Sequence, residues 1–378
     1  MKCKLSDICE YRKGKVNVSN LTLKTYISTE NMLPNKAGVV EANSLPSTTL
    51  VQEYKENDTL VSNIRPYFKK VWQAKHDGGC SNDVLVFQGK ANVDKDFLYY
   101  ILANDDFFAY SMATSKGTKM PRGDKKSIMQ YELQLFDIKV QKKIVSILKL
   151  LDKKIELNNA INNNLQEQME ALHRSWFIDY APFGGAKPSN WIKADIYSIA
   201  NIIYGAPFAS KLFNTEGLGK PIIRIRDLKE QTFVTYTTEI HPKGHLIQPG
   251  DIVVGMDGEF RSYIWGNSEA WLNQRVCIFE SKLPSDKAFM LYTIKPLLNV
   301  IEKTQVATTV IHIGKKDYDA FEIVLPDRKT LDQFGEITTP MLERIVNNSI
   351  ENKKLAKLRD ALLPQLMSGE IDVSDVTF

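Results

Sequence analysis

Hydrophobic positions along the chain follow two periodicities. Short alternating or β-branched runs, such as residues 251–254 and 276–279, lie between turns rich in Gly, Pro and Asn and predict strands. Apolar residues at helical spacing predict helices at residues 95–104 and 286–300. The pattern therefore predicts an α+β protein whose strand-rich segments are followed by helices.

Two longer helices are predicted around residues 141–177 and 333–367, each with a seam of positions spaced alternately by four and three. This spacing is typical of a coiled coil. The first seam consists of Leu151, Ile155, Asn158, Asn162, Leu165, Met169, Leu172 and Trp176, and the second of Met341, Ile345, Asn348, Asn352, Leu355, Arg359, Leu362 and Leu366. Asparagine occupies the same two layers in both, and a polar seam residue penalises other registers. We therefore predict that the two helices pair antiparallel and that Asn158, Asn162, Asn348 and Asn352 hold their register.

Another interpretation of these helices stays open at this point. Arg359 interrupts the apolar seam, and two solvated helices with asparagine on an exposed edge have the same spacing. Pro364 is expected to kink or end the second helix, because proline lacks the N–H that continues the helical hydrogen bonds.

The chain repeats itself after about 190 residues, with offsets that fall only from 193 to 190. Five blocks correspond in the same order: residues 58–62 with 251–255, 81–87 with 273–279, 97–101 with 289–293, 117–120 with 307–310, and 131–135 with 321–325. A link rich in Pro and Gly at residues 180–188 marks the boundary. We therefore predict an internal repeat with pseudo-two-fold symmetry: strand-rich domains at residues 1–137 and 188–327, and helical segments at residues 138–180 and 328–370.

Composition places the chain among soluble proteins of two or more domains. It has 378 residues, of which 43% are hydrophobic and 25% are charged. No apolar run approaches the roughly 20 residues of a membrane helix, and the first residues lack a signal peptide, so we expect a cytoplasmic protein. The cysteines (Cys3, Cys9, Cys80 and Cys277) form no CxxC pair, and His76 does not complete a zinc site. We expect reduced thiols and no metal.

Net charge gives a weak indication of the ligand. The balance is +4 overall; residues 1–189 have 27 Lys and Arg against 21 Asp and Glu, or +6, and residues 190–378 have 22 against 24, or −2. Overall charge therefore does not establish nucleic-acid binding in the second half, and local clusters must account for it.

The densest cluster is the Gly- and Pro-containing loop at residues 116–126, where five basic residues can contact phosphates together with backbone N–H groups. A solvated charged surface is the alternative interpretation. The candidates for DNA binding in this loop are Lys116, Thr118, Lys119 and Arg122, and those in its counterpart are Thr308, Thr309, His312 and Lys315. Candidates of second rank follow predicted strands: Arg65, Lys69, Lys70 and Arg261.

Base reading calls for other residue types. Arginine pairs with guanine, and Asn or Gln pairs with adenine. The candidates in the second repeat are Arg224, Arg226, Gln274 and Arg275. Three tyrosines, Tyr67, Tyr204 and Tyr263, are candidates for stacking or sugar contacts, and half-buried packing is the alternative for each.

Two segments of the seam helices resemble a known family. MEALHRSWFIDY at residues 169–180 is similar to the central conserved region of the specificity subunits of Type I restriction-modification enzymes, and LRDALLPQLMSGE at residues 358–370 is similar to their C-terminal one. PIIRIRDL at residues 221–228 and YISTENM at residues 26–32 resemble, more loosely, the opening motifs of that family's target recognition domains. The resemblance covers nearly the whole chain in order.

The resemblance implies two target recognition domains separated by two long antiparallel helices that form a coiled-coil spacer. It also implies partners: double-stranded DNA, two methyltransferase subunits and, through these, restriction/translocase subunits, with no membrane. Such a chain binds no cofactor itself, and S-adenosylmethionine, ATP and Mg²⁺ are expected on the partner subunits. Because the two repeats differ strongly in sequence, we expect an asymmetric, bipartite DNA target.

Motifs for chemistry are missing from the sequence. There is no GxxxxGK[ST] loop and no Gly-rich S-adenosylmethionine loop joined to an Asn-Pro-Pro-aromatic motif. The alternative is an enzyme, that is, a nuclease or methyltransferase with a divergent site. Asp251, Asp257 and Glu259 are the candidates for a metal nuclease centre. A scaffold that pairs proteins and never touches DNA is the third reading. We expect a recognition protein with no catalytic residue and no metal.

Overall fold

The computed structural model describes residues 1–304 and 312–376 in two compact units. The first unit combines Met1–Lys153 with the chain from Leu355 onward, and the second is Lys154–Lys354. Both units mix helices with strands, so the predicted α+β class is confirmed. The domain limits at residues 137, 180, 188 and 327 stay a prediction.

The first repeat contains ten short strands and four short helices before its long helix. The strands are β1 (Lys2–Lys4), β2 (Cys9–Tyr11), β3 (Lys15–Asn17), β4 (Tyr26–Ile27), β5 (Leu50–Tyr54), β6 (Thr59–Ser62), β7 (Val71–Gln73), β8 (Gly78–Cys80), β9 (Val84–Gly89) and β10 (Glu132–Gln134). The helices are α1 (Leu5–Ile8), α2 (Lys95–Ala103), α3 (Asp105–Ala113), α4 (Lys125–Ile128) and the long α5 (Ile138–Phe177), with 3-10 turns at Val18–Asn20 and Pro66–Phe68.

The second repeat, within its described residues, contains eleven strands and two helices before its own long helix. The strands are β11 (Ile192–Asp195), β12 (Ala200–Tyr204), β13 (Phe213–Asn214), β14 (Lys220–Ile223), β15 (Tyr236–Thr237), β16 (Leu246–Ile247), β17 (Ile252–Gly255), β18 (Ser262–Ile264), β19 (Ala270–Leu272), β20 (Val276–Ser281) and β21 (Glu322–Leu325). The helices are α6 (Lys287–Thr304), α7 (Lys315–Asp319) and the long α8 (Arg328–Ser368), with 3-10 turns at Ala181–Phe183, Ile196–Ser198, Ser210–Leu212, Ile225–Asp227 and Pro284–Asp286.

Side-chain caps explain where several helices begin. The Asp94 carboxylate accepts the backbone N–H groups of Asp96 and Phe97, and so starts α2. The Asn104 side chain starts α3, and the Asp124 carboxylate starts α4 in the same way. Because the first N–H groups of a helix have no partner within the helix, an Asp or Asn at this position satisfies them.

The two repeats share one strand framework. One four-stranded sheet of the first repeat has the order β2-β9-β6-β7, and its equivalent in the second has the order β12-β20-β17-β18. A second sheet in each repeat contains a parallel pair, β4 with β8 and β14 with β19. A small antiparallel pair joins the start of each repeat to its end, β1 with β10 and β11 with β21. The internal repeat predicted from the sequence is therefore present in the fold.

The second sheets differ at their edges. Three strands correspond, β5-β8-β4 in the first repeat and β16-β19-β14 in the second. The first repeat extends this set with β3 next to β5, whereas the second extends the opposite edge with β15 and β13 next to β14. The segments that vary in sequence between the repeats therefore also differ in topology.

Each unit has its own principal apolar core. The core of the first unit joins the helices after β9 to the beginning of α5 and the end of α8, through Leu148, Leu363 and Leu366 among others. The core of the second unit joins its sheet and α6 to the end of α5 and the beginning of α8, through Phe177 and Ile345 among others. The two long helices therefore contribute to the core of both units.

The long helices contain 40 and 41 residues, and the second runs through Pro364. The helix continues past Pro364 to Ser368, so the expectation that it ends there is wrong, and a kink at Pro364 stays a prediction. A proline in the last turns removes a single helical hydrogen bond, and Leu363, Leu366 and Met367 on either side of it are buried. Burial of this last turn offsets the lost bond.

The described residues include no helix that is both long and apolar enough to cross a membrane. All four cysteines are unbonded, and burial raises the pKa of Cys9, Cys80 and Cys277 to about 12. These thiols are therefore protonated at neutral pH and behave as core residues.

Candidate nucleic-acid interface

In the first repeat, the basic loop is attached to the turn that follows β6. Lys116 and Arg122 exchange backbone hydrogen bonds of 2.8 and 2.9 Å, which closes the loop at its base. Arg122 also forms a β-bridge with Ile64, and the Arg65 N–H donates to the Pro121 carbonyl at 2.8 Å. Arg65, the residues that follow it and the loop at 116–122 therefore form one continuous surface, which we call the first basic surface.

Acidic neighbours partly neutralise this loop. The Lys116 ammonium lies 2.7 Å from the Asp124 carboxylate, and this hydrogen bond raises the pKa of Lys116 and lowers that of Asp124. The Arg122 guanidinium lies 2.8 Å from Asp83. Thr118 and Lys119, at the tip, are exposed, and Lys119 has no ion pair with any described residue. Of the three candidate cations Lys116, Lys119 and Arg122, Lys119 is thus the most available to a phosphate.

Lys69 and Lys70 make internal contacts. The Lys69 ammonium lies 2.7 Å from Asp105, and that of Lys70 donates to the Thr29 carbonyl at 2.6 Å. Burial lowers the pKa of Lys70. The Arg65 Nε is buried and makes no hydrogen bond. These contacts hold the turn, and they leave Lys69 and Lys70 less free for DNA than Lys119 is.

The equivalent turn of the second repeat has the same backbone arrangement. The Asn63 N–H donates to the Asp83 carbonyl in the first repeat at 2.8 Å, and the Met256 N–H donates to the Arg275 carbonyl in the second at 2.9 Å. The bridge between residues 64 and 122 recurs between Asp257 and His312. The backbone of the candidate surface is therefore part of the repeat, while its side chains differ.

Arg275, Asp257 and His312 form a cluster at this second turn. The Arg275 Nη1 lies 2.9 Å from the His312 Nε2, and the His312 Nδ1 lies 2.6 Å from the Asp257 carboxylate. Arg275 has a left-handed backbone with φ of 71°, and its side chain is 51% exposed. Gln274 beside it is exposed as well. We call this cluster, with Gln274, the second basic surface.

Among the described side chains, the other candidates of the second repeat make no contact with this cluster. Arg224 donates to the Thr235 hydroxyl, and its guanidinium lies 5.9 Å from the Phe213 ring centroid. Arg261 forms a two-pronged ion pair with Glu302, and Lys315 pairs with Asp319 at 2.7 Å. Arg226 is 66% exposed at its side chain and lies 3.9 Å from Asp227. Thr308 and Thr309 lie outside the described residues.

Of the three candidate tyrosines, Tyr67 alone is exposed. The Tyr204 hydroxyl is buried without a hydrogen-bond partner, and burial raises the pKa of Tyr204. Tyr263 is half-buried, and burial raises its pKa too. Phe68, which is exposed beside Tyr67, is not among the candidates from the sequence, because no spacing rule separates an exposed aromatic residue from a core one.

The asparagines of the helical seam meet in the second unit. The Asn348 Nδ2 donates to the Asn162 Oδ1 at 2.9 Å, and the Asn158 Nδ2 donates to the Asn352 Oδ1 at 2.9 Å. Asn158 and Asn348 are 0% and 2% exposed, so the alternative of solvated helices with asparagine on an exposed edge is wrong. The residue pairs 158 with 352 and 162 with 348 show that α5 and α8 run antiparallel here.

Arg359, which interrupts the seam, is paired within the first unit. Its guanidinium donates to Asp152 at 2.8 Å, and the same carboxylate accepts the Tyr100 hydroxyl at 2.6 Å. Burial and then the Asp152 charge raise the pKa of Tyr100. The charge at this seam position is therefore matched across the two helices.

Among the described residues, no cluster of His, Cys, Asp or Glu has the geometry to hold a metal ion. The acidic groups proposed above as a nuclease alternative serve other contacts, since Asp257 pairs with Arg275 and His312 and Asp251 caps a turn by accepting the Gln248 N–H. Burial raises the pKa of Asp251. These contacts give no support to a metal nuclease at this turn.

The sequence of the chain identifies the family to which these two strand-rich repeats, with their basic turns and paired long helices, belong. Residues 1–167 and 188–359 match the profile of the Type I restriction modification DNA specificity domain, so the chain belongs to the specificity subunits of Type I restriction-modification systems, which recognise DNA sequence and are not catalytic.

Relatives in bacteria and archaea agree with this assignment. The chain is similar to the HindI specificity subunit of Haemophilus influenzae, 23% identical over 97% of this chain and 100% of that protein. It is similar to the EcoBI specificity subunit of Escherichia coli, 29% identical, although that match covers 50% of this chain and only 41% of that protein. The MjaIX specificity subunit of Methanocaldococcus jannaschii is 23% identical over 76% of this chain and 71% of its own length.

A solved structure has the same fold. The S subunit of a Type I restriction-modification system from M. genitalium aligns over 100% of this chain and 96% of its own, with a TM-score of 0.58 and 15% sequence identity.

Proposed function

We propose that this chain recognises an asymmetric, bipartite DNA target, with one half-site read by each repeat. The observation that carries the proposal is that one backbone framework occurs twice with different side chains at its basic turn. The first basic surface presents Lys119 and Arg122, and the second presents Gln274 and Arg275. Two readers with unlike side chains select unlike half-sites.

The two long helices act as the spacer between the readers. Support comes from the hydrogen bonds of Asn158 with Asn352 and of Asn162 with Asn348, which form only in one alignment of the helices. A fixed helical length gives a fixed number of unspecified base pairs between the half-sites. The domain limits predicted from the sequence, at residues 1–137, 138–180, 188–327 and 328–370, belong to this proposal.

The helices also dock the partner subunits, namely two methyltransferase subunits and, through them, restriction/translocase subunits. Leu157 and Ile161, one turn apart on α5, are 52% and 39% exposed. Neighbouring apolar residues on the outer face of a paired helix are suited to a protein partner. S-adenosylmethionine, ATP and Mg²⁺ act on the partner subunits, and the complex works in the cytoplasm.

A reconstitution experiment separates this proposal from its alternatives. The purified chain is incubated with DNA, Mg²⁺ and S-adenosylmethionine, alone and together with its methyltransferase subunit. We expect no turnover by the chain alone, and methylation at a defined bipartite sequence by the assembled complex. Turnover by the rigorously pure chain would mean an enzyme. An assembled complex whose DNA affinity does not respond to salt would instead favour a scaffold that does not touch DNA.

A further inference from the structure

Two neighbouring aromatic side chains are exposed in a chain that otherwise covers its aromatic residues. The sequence has 17 Phe, 15 Tyr and 5 Trp, and among those that the structure describes only Tyr67 and Phe68 are classed as exposed, at 49% and 38%. Their ring centroids are 4.7 Å apart. Two adjacent exposed rings form an apolar contact surface, and such a surface indicates a binding partner.

The backbone around the pair is held in place. The rings lie on the 3-10 turn Pro66–Phe68, between Arg65 and Lys69, which both have a left-handed backbone with φ of 51°. On one side the Arg65 N–H donates to a loop carbonyl, and on the other the N–H groups of residues 35 and 36 donate to the carbonyls of Phe68 and Lys69 at 2.8 and 2.9 Å. A left-handed backbone at Arg and Lys persists only where its surroundings enforce it. The backbone that carries the two rings is therefore fixed before any partner binds.

The charges around the pair indicate which partner. The Lys70 ammonium lies 5.8 Å from the Phe68 ring centroid, and Arg65 directly precedes the turn. The basic loop with the exposed Lys119 is joined to the same turn through the bridge between Ile64 and Arg122. An exposed cation such as Lys119 that can bind a phosphate, beside rings that can pack against sugars and unstacked bases, is a combination suited to nucleic acid.

The described residues of the second repeat include no such pair. Its equivalent turn, between β17 and β18, contains Asp257, Gly258 and Glu259, and the aromatic residue there, Phe260, is 1% exposed. This turn thus presents charged side chains in place of two exposed rings, and its Asp257 is paired with Arg275 and His312. The two readers therefore differ in the kind of contact they make as well as in their sequence.

We propose that Tyr67 and Phe68 pack against the DNA of the half-site read by the first repeat, and that the second repeat makes no equivalent contact. The inference rests on the proposed function, because it assumes that the basic turns face DNA. An apolar contact of this kind adds affinity without releasing counterions, so its loss weakens binding and leaves the salt dependence unchanged.

Binding of the assembled complex to its mapped target, measured at several salt concentrations, tests this. Exchanging both residues, Tyr67→Ala with Phe68→Ala, should weaken binding by about tenfold or more at every salt concentration, with an unchanged slope of log K against log salt. Lys119→Ala should instead reduce that slope by about 0.9 for a lost phosphate contact. Tyr67→Phe should bind like the wild type. Leu50→Ala removes a side chain that is 52% exposed in the same domain and is the matched control, with no expected change.

Photocrosslinking gives a readout that does not depend on affinity. With 5-iododeoxyuridine in place of thymine in either half-site, irradiation should attach DNA of the first half-site to the peptide that contains residues 66–68, and DNA of the second to no peptide of the turn at 257–260. Wild-type affinity of the double alanine variant, or crosslinks confined to other peptides, overturns the aromatic contact while the proposed function stands. A wild-type complex that shows no specific binding removes both.

Discussion

A paired insertion in the two long helices is predicted to lengthen the gap between the half-sites. Four residues are added to α5 between Lys153 and Lys154, and four to α8 between Ala356 and Lys357. In an antiparallel pair of helices, residues at the same level have numbers with a constant sum, as for 158 with 352 and 162 with 348. The two insertion points have the same sum and therefore lie at the same level of the pair. The ion pair of Asp152 with Arg359 stays matched on one side of the insertion, and the asparagine layers stay matched on the other.

The size of the effect follows from the two helical geometries. Four residues add about 6 Å and turn the far end by roughly 40°, at about 1.5 Å and 3.6 residues per turn. DNA rises ~3.4 Å per base pair and turns once in about 10 base pairs. Two added base pairs therefore advance about 7 Å and rotate by roughly 70°. The unspecified gap should grow by one or two base pairs, and both half-site sequences should stay the same.

The assay is methylation mapping of DNA from cells that carry the variant with its methyltransferase. The same four residues inserted between Gly184 and Gly185, an exposed link in which an added Cβ would meet no atom within 4 Å, are the matched control and should leave the gap unchanged. An assembled, active helix variant that keeps the original gap would show that these helices do not set the spacing.

Three further predictions concern single layers and loops. Asn348→Leu should lower the free energy of unfolding, measured by denaturant titration, by about 1–3 kcal/mol, because the buried Asn162 Oδ1 loses its donor. The double variant Asn162→Leu with Asn348→Leu should recover most of this loss, and an equal loss in both variants would contradict a coupled layer. Lys119→Ala with Arg122→Ala should weaken DNA binding and flatten its salt dependence by about one unit per lost phosphate contact, and an unchanged slope in salt titrations would exclude both as phosphate ligands. Burial, and then the Lys295 charge, lower the pKa of His173 from 6.5 to about 4, so the contribution of His173 to stability is complete above pH 6.5 and is lost as the pH falls towards 4. Between pH 7 and pH 5 the free energy of unfolding should therefore fall by about 2 kcal/mol more in the wild type than in His173→Gln. Parallel pH profiles of the two proteins would show that His173 does not titrate in this way.

Local patterns in the sequence were sufficient for the strand framework and the helical seam. The apolar run at residues 276–279 is buried throughout and lies in a strand, and the asparagine spacing identifies the layers that meet. The persistence of α8 through Pro364 was not predictable, because it depends on burial of the last turn by residues distant in sequence. Local propensity gives no information about such tertiary packing.

The candidate interface was less predictable than the fold, because ion pairs join residues distant in sequence. Arg261 pairs with Glu302, and Lys69 with Asp105, so two candidates are already neutralised within the protein. The exposed ring of Phe68 has the same local pattern as a core residue. Lists of basic residues from sequence alone therefore overstate the number available to DNA.

The central claim, that each repeat reads its own half-site, is tested most directly by exchanging one reader. Residues 1–137 are replaced with the same region of a relative, and the methylated bases are mapped in cells that carry the hybrid with its methyltransferase. We expect a bipartite target in which one half takes the relative's sequence, while the other half and the gap stay as in the wild type. A single continuous target, or a change in both halves, would contradict it.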